Sequence, residues 1–228
     1  MTFLQLVQRL RQECGVSGTG PVTTIAQVGE YKRLVDWIVE AWLEIQGLRP
    51  DWKFLRTSTS WATIADQYAY TPLQCGIAAD TFGAWVRHEM RQYNTAAGLR
   101  SEMPVYYMPY DRWRRQYNLG GLRDHAGPPR EFAVAPDQSL VLGPKPPVGY
   151  TMTGDYYKAP VTLTLNADVP ALPPGFSHMI IVYAAMMKYA AYESSAEVYA
   201  EGERGYTPLL CRLEVGQLEE ITLQGTLC

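Results

Sequence analysis

The sequence predicts an α+β protein, with a helical bundle formed by the N- and C-terminal helices and a small antiparallel β-domain between them. Two observations lead to this prediction. Apolar residues recur at helical spacing in residues 1–50 and 172–228, and they alternate with a period of two from about residue 130. Residues 51–171 are mixed in character, with a β-meander expected at about 130–165. We expect residues 1–228 to form a single unit of this kind.

Two amphipathic helices are predicted near the N-terminus. The first is short and ends at the glycines and proline of GVSGTGP. The second runs from Glu30 to Gln46 and is closed by Gly47 and Pro50. The predicted buried faces consist of Phe3, Leu6, Val7 and Leu10 in the first helix, and of Leu34, Ile38, Ala41, Trp42 and Ile45 in the second.

The middle of the chain predicts a mixture of strands and short helices. The stretch FLRTSTSWATIADQYAY is rich in Thr, Trp and Tyr, which favours one or two strands leading to a loop at residues 72–76. The stretch DTFGAWVRHEMRQYN predicts a short helix capped by Asp80 or Thr81. PYDRWRRQYN predicts another short helix.

From Arg130 the pattern indicates strands. We predict strands at residues 132–134, 140–142 and 149–157, with a turn at residues 136–139 between the first two. Together they predict an antiparallel β-meander, followed by a further short strand, VTLTL.

The most apolar segment is LPPGFSHMIIVYAAMMKYAAYESSAEVY, which spans residues 172–199. Its apolar run contains Lys188 and is shorter than the roughly 18 to 20 residues that a bilayer span needs, so it predicts a buried helix. We expect this helix to run from Ser177, its N-cap, to Tyr199 and to pack against the helix Glu30–Gln46. A weaker helical pattern follows in GYTPLLCRLEVGQLEEI. The expected apolar face is Ile180, Tyr183, Ala184, Met187, Ala190 and Ala191.

Composition limits the class of protein. A hydrophobic fraction of 47% allows a substantial core, and a net charge of -3 argues against a protein whose whole surface binds nucleic acid. The start MTFLQLVQRLRQECG lacks the features of a secretion signal. The four cysteines, at positions 14, 75, 211 and 228, form no CxxC pair, so we expect reduced thiols in a cytoplasmic compartment rather than a zinc site or a disulfide scaffold.

No catalytic, cofactor-binding or metal-binding motif is recognisable, so we predict no enzyme. The three histidines, His88, His125 and His178, belong to no HExxH or related motif. GVSGTGP lacks the GK[ST] of a phosphate loop and follows no predicted strand, which favours a helix terminator and a turn. Glu219 and Glu220 face no second acid across an obvious cleft and are expected to be solvated.

The densest cationic patch is DRWRRQYNLGGLRD. Three interpretations stay open at this stage. Arginines beside aromatic residues suit nucleic acid, because they bind phosphate and the rings stack on bases. Alternatively, Asp111 and Asp124 neutralise part of the charge while Trp113 packs inward, or the patch is a protein interface. The candidate contact residues are Arg112, Arg114, Arg115 and Arg123, interleaved with Trp113 and Tyr117.

Aromatic residues are abundant, with sixteen tyrosines and six tryptophans. Such side chains supply large contact area with few rotatable bonds, and they are enriched at protein interfaces as well as in cores. A chain without a catalytic constellation but with many aromatics favours a role in assembly.

Four blocks, in their order along the chain, carry a family resemblance. They are TFLQLVQRLRQECGVSGTGP, VDWIVEAWLEIQGLRPDWKFL, LVLGPKPPVGYTMTGDYYKAPVTL and DVPALPPGFSHMIIVYAAMMKYAAYE. In this order they resemble the head-to-tail adaptor proteins of tailed bacteriophages, also called connector or neck proteins, of the tail tubular protein A type. The last block is the most specific of the four, because a proline-rich segment leads directly into a helix that contains alanine and tyrosine.

The resemblance implies a helical bundle with an inserted or attached β-domain. It also implies a ring, commonly of twelve copies, that joins the portal vertex of the head to the tail and continues the DNA channel. The implied partners are further copies of the chain, the portal protein, a downstream tail or nozzle protein, and DNA that passes without sequence specificity, with no membrane and no cofactor. The protein would be made in the bacterial cytoplasm and reside in the virion neck.

In related adaptors the C-terminal segment reaches the portal, so the resemblance places portal contacts at Leu218, Ile221, Leu223 and Leu227. The absence of strong positive charge also suits a conduit, because each neutralised phosphate strengthens DNA binding and would slow ejection.

Two alternatives to the adaptor remain. One is another virion protein, such as a tail-completion factor or a minor head protein. The other is a nucleic-acid-binding module that uses the arginines between residues 112 and 123.

Overall fold

The computed structural model describes residues 1–218 and shows two compact units. The helical unit contains residues 1–54 and residues from 160 onwards, and the sheet unit is Leu55–Ala159. The sheet unit is therefore inserted into the helical unit along the chain. The structure confirms the α+β class and the contribution of both N- and C-terminal helices. That the whole chain acts as one adaptor unit stays a prediction.

Five α-helices lie within the described residues. Four belong to the helical unit and α3 belongs to the sheet unit. Helix α4 packs against each of the other three helices of the helical unit and is its central element. The helices are α1 (Phe3–Glu13), α2 (Gly29–Gly47), α3 (Tyr110–Tyr117), α4 (Met179–Glu193) and α5 (Ala196–Gln217).

Helices α1 and α2 confirm the predictions from periodicity. Every residue of the two predicted apolar faces is buried. Thr2 caps α1 through a reciprocal pair of bonds: the Gln5 backbone N–H donates to Thr2 Oγ1 at 3.3 Å, and the Thr2 backbone N–H donates to Gln5 Oε1 at 2.9 Å. A capping box at this position fixes where the first helix begins.

The buried helix predicted at residues 177–199 is real, but its bounds are wrong. Helix α4 ends at Glu193, because Ser194 adopts a left-handed conformation with φ of 54° and the chain starts a new helix at Ala196. At its start, His178 occupies the cap position and Ser177 Oγ accepts from the Met179 backbone N–H at 3.2 Å. The buried face also differs from the predicted one, since Tyr183 and Met187 are half-buried and Ala191 is exposed. The seven buried residues are Ile180, Ile181, Val182, Ala184, Ala185, Met186 and Ala190. An apolar helix that is buried on most of its circumference is what a central position requires.

The chain that returns from the sheet unit is fixed to the helices by side chains. The Gln46 amide donates to Val161 O at 3.1 Å and accepts from Val161 N–H at 3.0 Å. Asn166 Oδ1 accepts from both the backbone N–H and the hydroxyl of Thr24, each at 2.7 Å. The predicted strand VTLTL is wrong for this reason: the backbone N–H groups of Thr164 and Leu165 donate to the Asp168 carboxylate rather than to another strand.

The sheet unit contains nine short strands. Short 3₁₀ turns lie at Lys53–Leu55, Leu99–Ser101 and Gly120–Asp124. The strands are β1 (Arg56–Ala62), β2 (Ala69–Tyr70), β3 (Phe82–Trp85), β4 (Arg91–Asn94), β5 (Met103–Pro104), β6 (Tyr106–Tyr107), β7 (Glu131–Val134), β8 (Leu140–Gly143) and β9 (Tyr150–Lys158).

These strands form two sheets. In the first sheet, β9 pairs with β1 on one side. On its other side, β9 pairs with both β3 and β4, and β5 pairs with the outer edge of β4. The second has the order β2-β8-β7-β6, in which only the β6 and β7 pair is parallel. Arg56 lies opposite Tyr157, so the chain enters and leaves the sheet unit on neighbouring strands.

Two predictions in this region are wrong. The meander fails because the third strand, β9, pairs with β1 in the first sheet, whereas β7 and β8 belong to the second. The helix predicted in DTFGAWVRHEMRQYN is instead β3 and β4. Trp85 of β3 and Met90, which directly precedes β4, are buried in the core that the two sheets share. The strands at FLRTSTSWATIADQYAY and the helix in PYDRWRRQYN are confirmed.

The second sheet is buried on both faces. Phe132, Leu140 and Leu142 point into the core shared with the first sheet. The intervening Ala133 and Val141 point the other way, into a cluster with Trp113 of α3. Helix α3 therefore covers the outer face of this sheet, and its own outer side carries the predicted arginines.

Candidate functional site

Trp113 sets the orientation of α3. Its ring is 2% exposed and lies between Tyr68, at a centroid distance of 5.5 Å, and Tyr110, at 6.0 Å. Its indole N–H donates to the Leu142 carbonyl of β8 at 3.1 Å. Because Trp113 packs on the sheet together with the half-buried Tyr110 and Tyr117, the polar residues of this eight-residue helix face outward.

The four predicted arginines are all exposed, and the structure brings three of them together. Arg114, Arg115 and Arg123 line one open concavity with Asp111, Asn118 and Leu119. The turn at Gly120–Asp124 returns the chain to the end of α3, which places Arg123 beside the helix: its Nε donates to the Asn118 carbonyl at 3.3 Å. Arg112 lies on the same helix outside this lining. We call the surface formed by Arg114, Arg115, Arg123 and Leu119 the arginine concavity.

The charge of the arginine concavity is not neutralised within the described residues. Asp124, a predicted partner, lies 3.8 Å from Lys145 Nζ instead. Asp111 accepts from Arg115 Nε through its backbone carbonyl, at 3.3 Å, and its carboxylate forms no ion pair in residues 1–218. The interpretation as an ion-paired surface is thus half right: Trp113 packs inward, but the acids do not pair with these arginines.

The aromatic residues of the patch are used for folding. Tyr117 donates its hydroxyl to Glu131 Oε2 at 2.6 Å, and Gln116 Nε2 donates to the same oxygen at 3.1 Å. Burial, followed by the hydrogen bond and the charge of Glu131, raises the pKa of Tyr117 to about 12. With Trp113 buried and Tyr117 bound to Glu131, neither ring is free to stack on a nucleic-acid base.

An apolar concavity lies elsewhere, in the helical unit, and was not apparent from the sequence. It is lined by Leu172 and Phe176 from the loop before α4, by Ile180 in the first turn of α4, and by Leu209 and Leu213 of α5, with Arg212 beside them. The spacing of Leu209 and Leu213 is a visible helical signal, but their partners come from the proline-rich loop before α4. Of the predicted portal contacts, Leu218 caps the end of α5, donating its backbone N–H to Glu214 O at 2.9 Å. Ile221, Leu223 and Leu227 lie outside the described residues.

The histidines are dispersed. His88 and His125 are exposed, on a loop between β3 and β4 and after the turn at Gly120–Asp124. His178 contacts the N-terminal ammonium, and burial followed by that positive charge lowers the pKa of His178. Within residues 1–218, no group of three or more His, Cys, Asp or Glu side chains is arranged to hold a metal ion.

The described cysteines are free thiols. Cys75 is buried and Cys14 half-buried, and burial raises the pKa of each thiol to about 12, with the charge of Glu13 adding to the shift at Cys14. Cys211 is exposed on α5. A raised pKa keeps a thiol protonated and poorly nucleophilic at neutral pH.

Comparison with known protein families identifies the class of protein to which this chain belongs. The chain matches the SU10 adaptor protein family over residues 1–210, a range that includes the whole sheet unit and all but the end of α5. It belongs to the SU10 adaptor protein family. No significant match to a curated protein was found.

Membership in the SU10 adaptor protein family confirms the resemblance to phage head-to-tail adaptors. The protein is a bacteriophage structural protein and a virion component that interacts with other head or tail proteins. The family has a structural rather than an enzymatic role. No helix in residues 1–218 has the length and apolarity to cross a membrane.

Proposed function

We propose that the protein forms a ring that joins the portal vertex of the phage head to the tail and continues the DNA channel. The observation that carries this proposal is the match to the SU10 adaptor protein family across both units. Twelve copies are proposed for the ring, with the portal protein on one side and a downstream tail or nozzle protein on the other. The described residues offer no metal-binding cluster, and the proposed work of the protein is binding rather than catalysis.

Exposed apolar side chains on the helical unit support a role in assembly. Tyr192 at the end of α4 and Tyr199 in α5 are 53% and 45% exposed, and Val215 near the end of α5 is 86% exposed. Large side chains left in water at these levels are suited to burial against another protein. The tyrosines are proposed to meet a neighbouring copy in the ring.

The portal is proposed to bind the segment that begins at Leu218 and contains Ile221, Leu223 and Leu227. Leu218 is where the last helix ends, so residues beyond it can be removed without shortening α5. A chain that stops after Leu218 should keep its helical content and lose portal attachment. A truncated chain that still attaches would move the portal contact elsewhere on the protein.

The deciding experiment mixes the protein with the portal protein encoded by the same genome and records the native mass and negative-stain images. A ring on the portal with matching copy number is the expected result. If both proteins are folded and no complex forms, the protein acts at another position in the particle, as a tail-completion or minor head protein.

A further inference from the structure

We infer that the arginine concavity of one copy binds an acidic corner on the helical unit of the next copy, and that this contact builds the ring. The acidic corner consists of Glu193 at the end of α4 and Glu197, Glu201 and Glu203 of α5. This inference rests on the proposed function in one respect, since it names the surfaces through which the proposed ring is formed.

The two units carry opposite charge. Leu55–Ala159 contains 11 Lys or Arg and 9 Asp or Glu, a formal charge of +2, which leaves -5 for the remainder of a chain whose net charge is -3. A surface on the sheet unit and a surface on the helical unit can therefore attract each other between copies. Contact between two different surfaces of identical chains is heterologous, and it produces a closed ring when the rotation between neighbours closes.

Ion pairing within the helical unit singles out the acidic corner. Five of the eight other acids among the described residues of this unit form ion pairs: Glu40 and Glu44 both lie within ion-pair distance of Lys188, Asp36 pairs with Lys32, Glu214 pairs with Arg49, and Glu13 pairs with Arg9. The four glutamates of the acidic corner are exposed, and none forms an ion pair within residues 1–218. They fall within residues 193–203, which contain no Lys or Arg; Arg204 follows directly, so four negative charges stand against one neighbouring positive charge in this part of α5 and the end of α4.

The arginine concavity has the chemistry of a protein-binding surface. Leu119 is 61% exposed within it and Leu122 is 49% exposed beside it, so apolar area and unpaired guanidinium groups occur together. Arginine and exposed apolar side chains are the combination found in protein interfaces. The acidic corner has matching apolar area in Tyr192 and Tyr199.

Two features disfavour DNA as the occupant of the arginine concavity. The Asp111 carboxylate shares its lining and would repel a phosphate. The neighbouring rings that would stack on bases, Trp113 and Tyr117, are held in the fold by the bonds to Leu142 and Glu131. An acidic peptide surface pairs with the arginines through side chains that can avoid Asp111, whereas a duplex presents phosphates at fixed spacing.

The test reverses each surface separately and then mixes the products. One variant carries Arg114→Glu and Arg115→Glu, and the other carries Glu197→Arg and Glu201→Arg. The first variant makes both surfaces negative, and the second leaves the acidic corner with equal numbers of Glu and Arg and so without net charge. In either case the attraction is lost, and self-association measured by sedimentation at low salt should weaken by more than about tenfold. In an equal mixture the altered positions of one variant meet the altered positions of the other with opposite charge, the unaltered surfaces also meet, and association should return toward the level of the unaltered protein.

Matched controls separate this contact from general charge effects. Arg91→Glu with Arg100→Glu adds the same charge to the sheet unit at exposed positions outside the concavity lining. Glu30→Arg with Asp51→Arg adds the same charge to the helical unit, and Glu30 lies in the first turn of α2 as Glu197 lies in the first turn of α5. Both controls should associate like the unaltered protein, and circular dichroism should show equal helix content in all variants.

Three results would overturn the inference: reversed variants that associate normally, a mixture that fails to restore association, or an unaltered protein that stays monomeric both alone at high concentration and with portal. Loss of duplex DNA binding in the Arg114→Glu, Arg115→Glu variant with unchanged self-association would assign the concavity to nucleic acid. Attachment of the unaltered protein to the portal is scored separately. Loss of portal attachment with normal self-association would contradict the proposed function alone. Normal portal attachment without the predicted charge dependence would contradict this inference alone.

Discussion

The Gln46 side chain binds both backbone groups of Val161, with its amide nitrogen 3.1 Å from the Val161 carbonyl oxygen and its amide oxygen 3.0 Å from the Val161 nitrogen. Gln46 is buried in the last turn of α2, and Val161 is the second residue of the chain that returns from the sheet unit. The Gln46 side chain thus makes the two hydrogen bonds that a neighbouring strand would otherwise make with the backbone of Val161. The arrangement fixes the register at which the second half of the helical unit begins.

Replacing Gln46 tests this role. Gln46→Leu should lower the free energy of unfolding by about 1 to 3 kcal/mol, because the N–H and C=O of Val161 lose their partners. Urea denaturation followed by circular dichroism measures the loss. Gln12→Leu, an exposed position on α1, is the matched control and should change stability little. Equal stability of the Gln46→Leu protein would show that water replaces both bonds without cost.

A charge in the centre of the helical unit should prevent folding. Ala184 is buried in α4, and Lys188, one turn later, is already shared by Glu40 and Glu44, so an aspartate at position 184 adds a buried charge without a partner of its own and Ala184→Asp should cost more than about 3 kcal/mol. Ala191→Asp places the same charge at an exposed position on the same helix and should remain folded. Thermal unfolding of both variants measures the difference. A folded, soluble Ala184→Asp protein would mean that this face is not core.

Gly202 allows α5 to approach α4. A Cβ at this position would lie 3.0 Å from Met187 Cγ and 3.1 Å from the Tyr183 carbonyl oxygen. Gly202→Leu should therefore destabilise the protein by about 1 to 2 kcal/mol, since overpacking outweighs the gain in helix propensity. Ala200→Leu, which is exposed two residues earlier, should be neutral. A stabilised Gly202→Leu protein would show that the two helices separate readily.

Tyr117 should lose its hydroxyl proton at a higher pH than an ordinary tyrosine. Burial and the bond to Glu131 raise its pKa from 10.0 to about 12 in the folded protein. The folded state keeps the proton that the unfolded state loses, so this contribution to stability is complete below pH 10 and is lost as the pH rises from 10 to about 12. Ultraviolet titration of the protein and of Tyr117→Phe should differ by one tyrosine that ionises near pH 12. A difference that appears near pH 10 would show that the hydroxyl is not held by Glu131.

The terminal helices were predictable because each buries one face against few partners. In α1 and α2, the apolar residues at helical spacing are the residues that the structure buries. The break at Ser194 gave no such signal, since neither glycine nor proline marks it and a serine adopts the left-handed conformation. The sequence YESSAEVY is compatible with one helix or two, and packing against α4 decides the outcome.

The strands were harder because pairing in this unit is not local. The alternation in residues 150–158 predicts a strand, but nothing nearby indicates that its partner is β1, on the far side of the sheet unit in sequence. Val86 and Met90 are four residues apart, which also fits a helix, although both are buried in the sheet unit. Periodicity identifies elements, whereas partners separated by about a hundred residues are set by the whole core.

The arginine cluster was visible in the sequence, but its geometry was not. Arg114 and Arg115 are adjacent in the chain, while Arg123 joins them only through the turn at Gly120–Asp124. The acidic corner gave a weaker signal, because its importance depends on which other acids already have partners. Those partners, such as Lys188 for Glu40 and Glu44, come from distant parts of the chain.

The insertion of residues 55–159 between the two halves of the helical unit fixes an order of events on the ribosome. The paired first and last strands, joined where Arg56 faces Tyr157, let the sheet unit fold as soon as its own residues have emerged. Helices α1 and α2 are synthesised first, so α2 lacks its partner α4 during synthesis of the inserted unit. The last part of this chain to be translated therefore completes the unit that the first part began.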